Sequence, residues 1–173
     1  MTKGSNDWDN LPIFKDIRPC TLQNGSVNYY LNPSNFNYRE DGVTPANLDG
    51  SDGDIMIQFS KFAYRIYKEN EKIYVSVTND IKKITADNRY HYYAFSRESE
   101  GDRDYFYWGA YKGSLNTDGN LASIIGKVPV ASITFRDFKT LAQNRGNGYT
   151  ITSFFQLTAI QCLYIIKYGD LNG

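Results

Sequence analysis

From Val27 onward apolar residues alternate with polar ones over short stretches, and only past Thr134 do they recur at helical spacing. Alternation marks strands with one buried face; a spacing of three and four marks helices. Val27-Asn28-Tyr29-Tyr30-Leu31 reads as a short strand stopped by Asn32-Pro33. Residues 32–54 form a long turn-rich segment punctuated by Asp41-Gly42, Asp49-Gly50 and Asp52-Gly53. Ile55, Ile57 and Phe59 then alternate with Met56 and Gln58. Phe62, Tyr64 and Ile66 resume out of phase, which predicts a bulge or bend at Ser60-Lys61. Ile73, Val75 and Val77 complete an antiparallel hairpin with one buried face across a polar turn at 68–72. Residues 79–88 read as irregular, 90–95 as an aromatic strand and 98–103 as a charged turn. Residues 104–111 read as a second aromatic strand and 112–127 as a Gly- and Ser-bearing loop.

Two helices follow. Thr134 is placed to cap the first, with Asp137 three residues on. Phe135, Phe138, Leu141 and Ala142 share a face, and Gly146 is the stop. Ser153 and Gln156 make a capping box for the second, which runs to about Tyr168 before Gly169. Of the 13 residues in 154–166, 10 are apolar or aromatic, on all sides. A helix of that kind is expected at the centre of its domain, covered by sheet and by the first helix. The pattern shows no repeat and no linker. It predicts a flexible leader over 1–10 and one α+β domain over 11–173, with antiparallel strands packed around the two C-terminal helices.

Composition narrows the function. Lys plus Arg and Asp plus Glu are 19 each, so there is no basic excess for nucleic acid or a polybasic membrane contact. Aromatics reach 16 %, with 15 Tyr and 14 Gly. Tyr gives broad contact area at low entropy cost, although aromatics also simply pave strands. No apolar core follows Met1, so no secretory signal is expected, and a run of 13 residues is too short for a bilayer.

Candidate chemistry is sparse. Cys20 and Cys162 lie far apart and His91 stands alone, which argues against a zinc site and against any catalytic set. Asp49, Asp52 and Asp54 invite a calcium reading. Position twelve of an EF-hand counted from Asp49 is Ser60, however, and Asp-Gly pairs are ordinary turn chemistry. His91, among Tyr90, Tyr92, Tyr93 and Phe95, is expected to be a packed strand histidine. Tyr105, Phe106, Tyr107, Trp108 and Tyr111 could stack on sugar rings or lie in the core. Asn147 and Tyr149 sit in a polar Gly-rich connection between the helices.

The order of several blocks resembles a family of phage and prophage tail proteins. The blocks are Asp49-Gly50-Ser51-Asp52-Gly53-Asp54-Ile55-Met56-Ile57, Lys61-Phe62-Ala63-Tyr64-Arg65, Tyr107-Trp108-Gly109-Ala110-Tyr111 and Gly126-Lys127-Val128-Pro129. Phe135-Arg136, Arg145-Gly146-Asn147-Gly148-Tyr149 and Leu163-Tyr164-Ile165-Ile166-Lys167-Tyr168-Gly169-Asp170-Leu171-Asn172 follow in the same order. The resemblance covers roughly 8–172. It implies a C-type-lectin-like fold of the formylglycine-generating-enzyme type, as in tail-fibre tips and the variable targets of diversity-generating retroelements. Enzymes sharing that fold use a reactive cysteine pair with a metal, which Cys20 and Cys162 do not supply. Such proteins usually continue past the Tyr168–Asn172 block, which implies a fold cut short or finished by another chain.

The resemblance thus implies a virion tail-tip subunit, assembled in the bacterial cytoplasm, that is not an enzyme and needs no cofactor or metal. It would be a homo-oligomer, expected as a trimer, or complemented by a C-terminal chain. It would meet other tail proteins and bind a host-surface glycan or protein through Tyr105, Tyr107, Trp108, Tyr111, Asn147 and Tyr149. The alternative is a purely structural virion or baseplate part.

Overall fold

The structure, a computed structural model, describes residues 7–97 and 100–170. The leader residues 1–6, Glu98 and Ser99 of the charged turn, and Leu171, Asn172 and Gly173 lie outside the described residues. The protein is α+β: the described residues form mostly antiparallel strands and three α-helices, two of them C-terminal. One domain over 11–173 is the expectation from sequence; the contacts group the chain into two compact units. The first is Met1–Ile17, Phe59–Phe106 and Thr152–Gly173. The second is Arg18–Gln58 and Tyr107–Ile151.

The second unit holds most of a five-stranded sheet. Its strands are β1 (Arg18–Gln23), β2 (Ser26–Asn32), β3 (Asn35–Arg39), β4 (Asp54–Ser60) and β7 (Tyr105–Gly109), in the order β3-β2-β1-β4-β7. Asn24-Gly25, with φ of 51° and 79°, turns β1 into β2. Both residues need positive φ in a two-residue hairpin of this hand, and Asn-Gly meets that need at least cost. A register shift between Thr21 and Leu22 follows at once. Leu31, Leu48 and Ile55 form a buried cluster on which Tyr29, Phe36, Ala46, Ala110 and Tyr111 pack. Two departures from the sequence reading lie here. The segment 32–54 contains β3, and the loop 112–127 contains a small ladder of β8 (Ser114–Leu115) and β9 (Leu121–Ala122). The helix α2 (Phe135–Gln143) packs near β9. Thr134 caps it by accepting the Asp137 N–H, and Ala142 is buried, but Phe135 is left outside.

The first unit centres on Phe62, Phe95 and Phe106. Phe62 meets Phe95 edge-on at 5.5 Å, and Phe59 stacks on Phe106 at 4.8 Å. The hairpin of β5 (Ala63–Glu69) and β6 (Lys72–Thr78) turns through Asn70-Glu71. The bend at Ser60-Lys61 is where β4 ends before β5 starts a separate two-stranded sheet. The expected buried face of the hairpin stops short of its tip, where Ile73 is 73 % exposed. Residues 79–88 are not irregular throughout: Asp80 caps a short helix, α1 (Ile81–Ala86), by accepting the Lys82 N–H. The segment 90–95 forms no strand: residues 93–95 turn, and the segment meets β5 through a bridge between His91 and Tyr64 and through Tyr90, whose ring lies under the Arg65 guanidinium. Near the N-terminus, the last part of the expected leader, Trp8–Asn10, forms a 3-10 turn, and Trp8 lies against Phe14.

The helix α3 (Phe154–Tyr168) has the expected ends. Ser153 and Gln156 form the capping box, and Gly169 closes it at φ 66°. It is not enclosed on all sides, which corrects the expectation of a central helix. Ala159, Cys162 and Leu163 are buried, and α3 packs against β6. Phe154 is 75 % exposed, and Phe155 and Leu157 are exposed with it. Apolar composition in every direction reported which residues the helix carries, not how many neighbours reach it. Substitutions within α3 should therefore split. Leu163→Ala is expected to cost about 2–3 kcal/mol, toward the low end because an open flank lets the site collapse. Leu157→Ala should cost less than about 1 kcal/mol. Denaturant melts giving equal losses would place both residues at the same depth.

Candidate functional site

The aromatic strand β7 divides its residues between the units. In the first unit Tyr105 is exposed, while the neighbouring Phe106 is buried among phenylalanines. In the second unit Tyr107 and Trp108 are half-buried, and Tyr111 packs on the Leu31–Leu48–Ile55 cluster. Tyr111 is thus a core-supporting side chain. Its backbone N–H donates to the Ser123 hydroxyl at 3.0 Å.

Tyr107 belongs to a polar row. The Tyr30 hydroxyl donates to Gln58 Oε1 at 3.1 Å, and Gln58 Nε2 donates to the Tyr107 hydroxyl at 3.0 Å. Register explains the meeting. Gln58 lies opposite Arg18, and Tyr30 opposite Cys20, so all share one face of the sheet. The Arg18 guanidinium lies 3.3 Å from the Tyr30 ring centroid and pairs with Glu40 at 2.6 Å. Tyrosine faces, a guanidinium, a carboxylate and an amide are the side-chain classes that hold polyhydroxylated ligands.

Asn147 and Tyr149 sit on the loop after α2. Asn147 is exposed between Gly146 and Gly148, both at positive φ. Tyr149 is half-buried, and its hydroxyl accepts the Gly25 N–H at 3.2 Å. Burial raises its pKa first, with Asp54 adding to the shift. The Arg145 guanidinium lies 5.8 Å from the Tyr149 ring and binds Asp54 Oδ2 at 2.6 Å, while Asp54 Oδ1 accepts the Ser123 N–H at 3.0 Å. Asp54 is buried, so this pair ties the loop to β4. The structure brings Asn147 and Tyr149 onto one loop and Tyr107 into the polar row. Tyr105 lies in the other unit.

The acidic turn 49–54 is occupied by protein donors. Asp49 accepts the Ser51 N–H and hydroxyl, and Asp52 accepts the Tyr29 hydroxyl at 2.7 Å and Asn47 Nδ2 at 3.2 Å. Those bonds support the turn reading over the calcium one. Among the described residues no group of three or more His, Cys, Asp or Glu is placed to hold a metal.

His91 stacks on Tyr93 at 4.5 Å, as a packing histidine does, but at an isolated bridge to Tyr64 rather than within a strand. Burial pushes the Cys20 thiol up to about 12 and the Cys162 thiol up to about 11. Such thiols carry little thiolate at neutral pH and are poor nucleophiles.

A cluster in the first unit escaped the sequence reading. Asp87 binds Arg65 and, at 2.8 Å, Arg89. Arg65 lies over Tyr67 and Tyr90, Arg89 lies over Tyr67, and Tyr67 stacks on Tyr74 at 5.0 Å. Only Asp87-Asn88-Arg89 is legible as a local turn; the rest depends on the hairpin register. Hydrogen bonds from the Arg89 side chain and N–H hold the Asp87 carboxyl well below the usual range. A depressed native pKa contributes stability that is fully present above the unfolded carboxylate value of about 4 and is lost as pH falls toward the native one. Asp87→Asn should therefore flatten the acid limb of the stability curve and leave its slope near neutrality unchanged. An unaltered limb in melts run below pH 4 would count against the cluster.

Comparison with known proteins yields no match: no family model fits the chain, and no curated protein or solved structure matches it. No helix among the described residues is long and apolar enough to cross a membrane.

Proposed function

We propose that this chain is a binding module of a phage or prophage tail tip, with a C-type-lectin-like fold and no enzymatic role. Its ligand would be a host-surface glycan or protein. The observation that carries the reading is the Tyr30–Gln58–Tyr107 row beside the Arg18–Glu40 pair. It gathers aromatic, amide and charged groups on one sheet face, the combination a sugar's faces and hydroxyls require. The collinear resemblance to tail proteins supplies the biological setting. Several copies on one virion would turn weak single contacts into firm attachment. Neither a cofactor, a nucleic acid nor a membrane enters this reading.

Exposed Phe154, Phe155 and Leu157 favour a second reading, a purely structural virion or baseplate subunit whose apolar surface is covered by other tail proteins. Glycan arrays and adsorption to host cells separate the two. Binding that drops at least about tenfold in a Tyr30→Ala, Tyr107→Ala variant with intact fold supports the receptor module. Absence of binding by the parent protein on arrays and cells alike supports the structural part.

A further inference from the structure

The outer edge of the β5–β6 hairpin carries a pattern of its own. Tyr64 exchanges both backbone hydrogen bonds with His91, at 3.2 and 3.0 Å, on the side of β5 away from β6. Tyr64 is therefore not hydrogen-bonded to its cross-strand neighbour Val77. Alternation along an antiparallel pair then turns the N–H and C=O groups of Val77, Val75 and Ile73 away from β5, to the open side of β6. Among the described residues β6 has β5 as its only strand partner.

Along its own length this edge lacks the usual protections of proline, bulge and spaced charge, and α3, which packs against β6, leaves Ile73 and Tyr74 exposed. The sequence Lys72-Ile73-Tyr74-Val75-Ser76-Val77-Thr78 contains no proline, its register with β5 is unbroken, and its single charge is at the tip. Ile73 is 73 % exposed and Tyr74 is 38 % exposed. An edge of this kind is a template for another extended strand.

We propose that β6 pairs with β6 of a second copy of this chain, antiparallel about a two-fold axis at Val75. The register follows from the outward groups. Val75 faces its own counterpart, Ile73 faces Val77 of the second copy, and Tyr74 faces Ser76 of the second copy. Lys72 falls opposite the second copy's Thr78 and diagonal to its Asp80, which is exposed just past the strand. Each junction end thus sets one cation near one carboxylate, twice by symmetry. A parallel pairing would put the two Lys72 side by side, and a shift of one residue would oppose outward groups to inward ones. The chain's balance of 19 cationic and 19 acidic residues adds no net repulsion between copies. The pairing is independent of the receptor reading and joins copies in twos.

Light scattering and amide hydrogen exchange on the full chain test it together. Expected are a monomer–dimer equilibrium and, as concentration rises, slowing exchange at the Ile73, Val75 and Val77 amides. Val75→Pro removes an outward N–H and leaves the hairpin's own bonds in place, so it should abolish the dimer with unchanged circular dichroism. Should that variant misfold, Lys72→Glu, which faces a carboxylate at both ends, should weaken the dimer about tenfold. A monomer at all concentrations overturns the proposal. So does a dimer indifferent to Lys72→Glu, protection of the three amides that does not vary with concentration (the edge then being covered within one chain), or open-ended assembly in place of a dimer.

Discussion

Alanine at position 53 is expected to cost about 3 kcal/mol or more, enough to unfold a marginal protein. Gly53 holds φ at 111°, a region that L side chains rarely adopt. An added Cβ would also lie 2.4 Å from the Leu22 carbonyl oxygen and 2.7 Å from its carbon. The obstacle is backbone, not the far end of a side chain, and it belongs to β1. That strand is paired with β2 on one side and β4 on the other and cannot retreat without breaking a ladder. Gly25 provides the control. Its φ is 79°, but a Cβ there meets nothing within 4 Å, so Gly25→Ala should cost only the local conformational penalty, about 1–2 kcal/mol. Urea unfolding of the two variants side by side checks the contrast. Equal midpoints would mean that the 49–54 turn does not press on β1.

Arg145→Met is expected to cost about 3 kcal/mol. Asp54 is buried, and the substitution leaves its carboxylate with the Ser123 N–H but no cation. Removing one partner of a buried pair is costly because the remaining charge stays desolvated, even where the pair as a whole adds little. The Asp54→Asn, Arg145→Met double variant should therefore recover part of the loss. A double variant as unstable as the sum of the two single ones would show that the groups do not interact. The same substitution frees the 145–149 loop, so Gly25 amide exchange should quicken as its bond to the Tyr149 hydroxyl loosens.

Sequence made local features legible because they depend on neighbours within a few residues. The caps Thr134 and Ser153, the αL stop at Gly169 and the hairpin at Asn70-Glu71 are of this kind. Asn24-Gly25 carried an equally plain hairpin signal, and reading it would have placed β1. Burial was much less legible. Ile73 and Leu163 are both aliphatic residues in regular apolar patterns, yet one is 73 % exposed and the other 4 %. What separates them is whether another element arrives, which no local period encodes. The candidate site failed in the same way. Tyr111 and Tyr107 are four residues apart, but the first packs on a core cluster and the second joins a hydrogen-bonded row. Sheet register makes that difference, through partners at Leu31, Ile55 and Gln58.

The division of the chain into interleaved units has a consequence for its birth. The polypeptide leaves the first unit at Ile17, returns at Phe59, leaves again at Phe106 and returns at Thr152. During synthesis the second unit has all its parts once Ile151 clears the ribosome. The first, begun earlier, must wait for α3, which packs against β6. The usual N-to-C order of domain folding is thus inverted. The face of β6 that α3 packs on stays uncovered on the nascent chain for as long as the intervening residues take to be made, and in that interval a chaperone or a neighbouring chain can capture it.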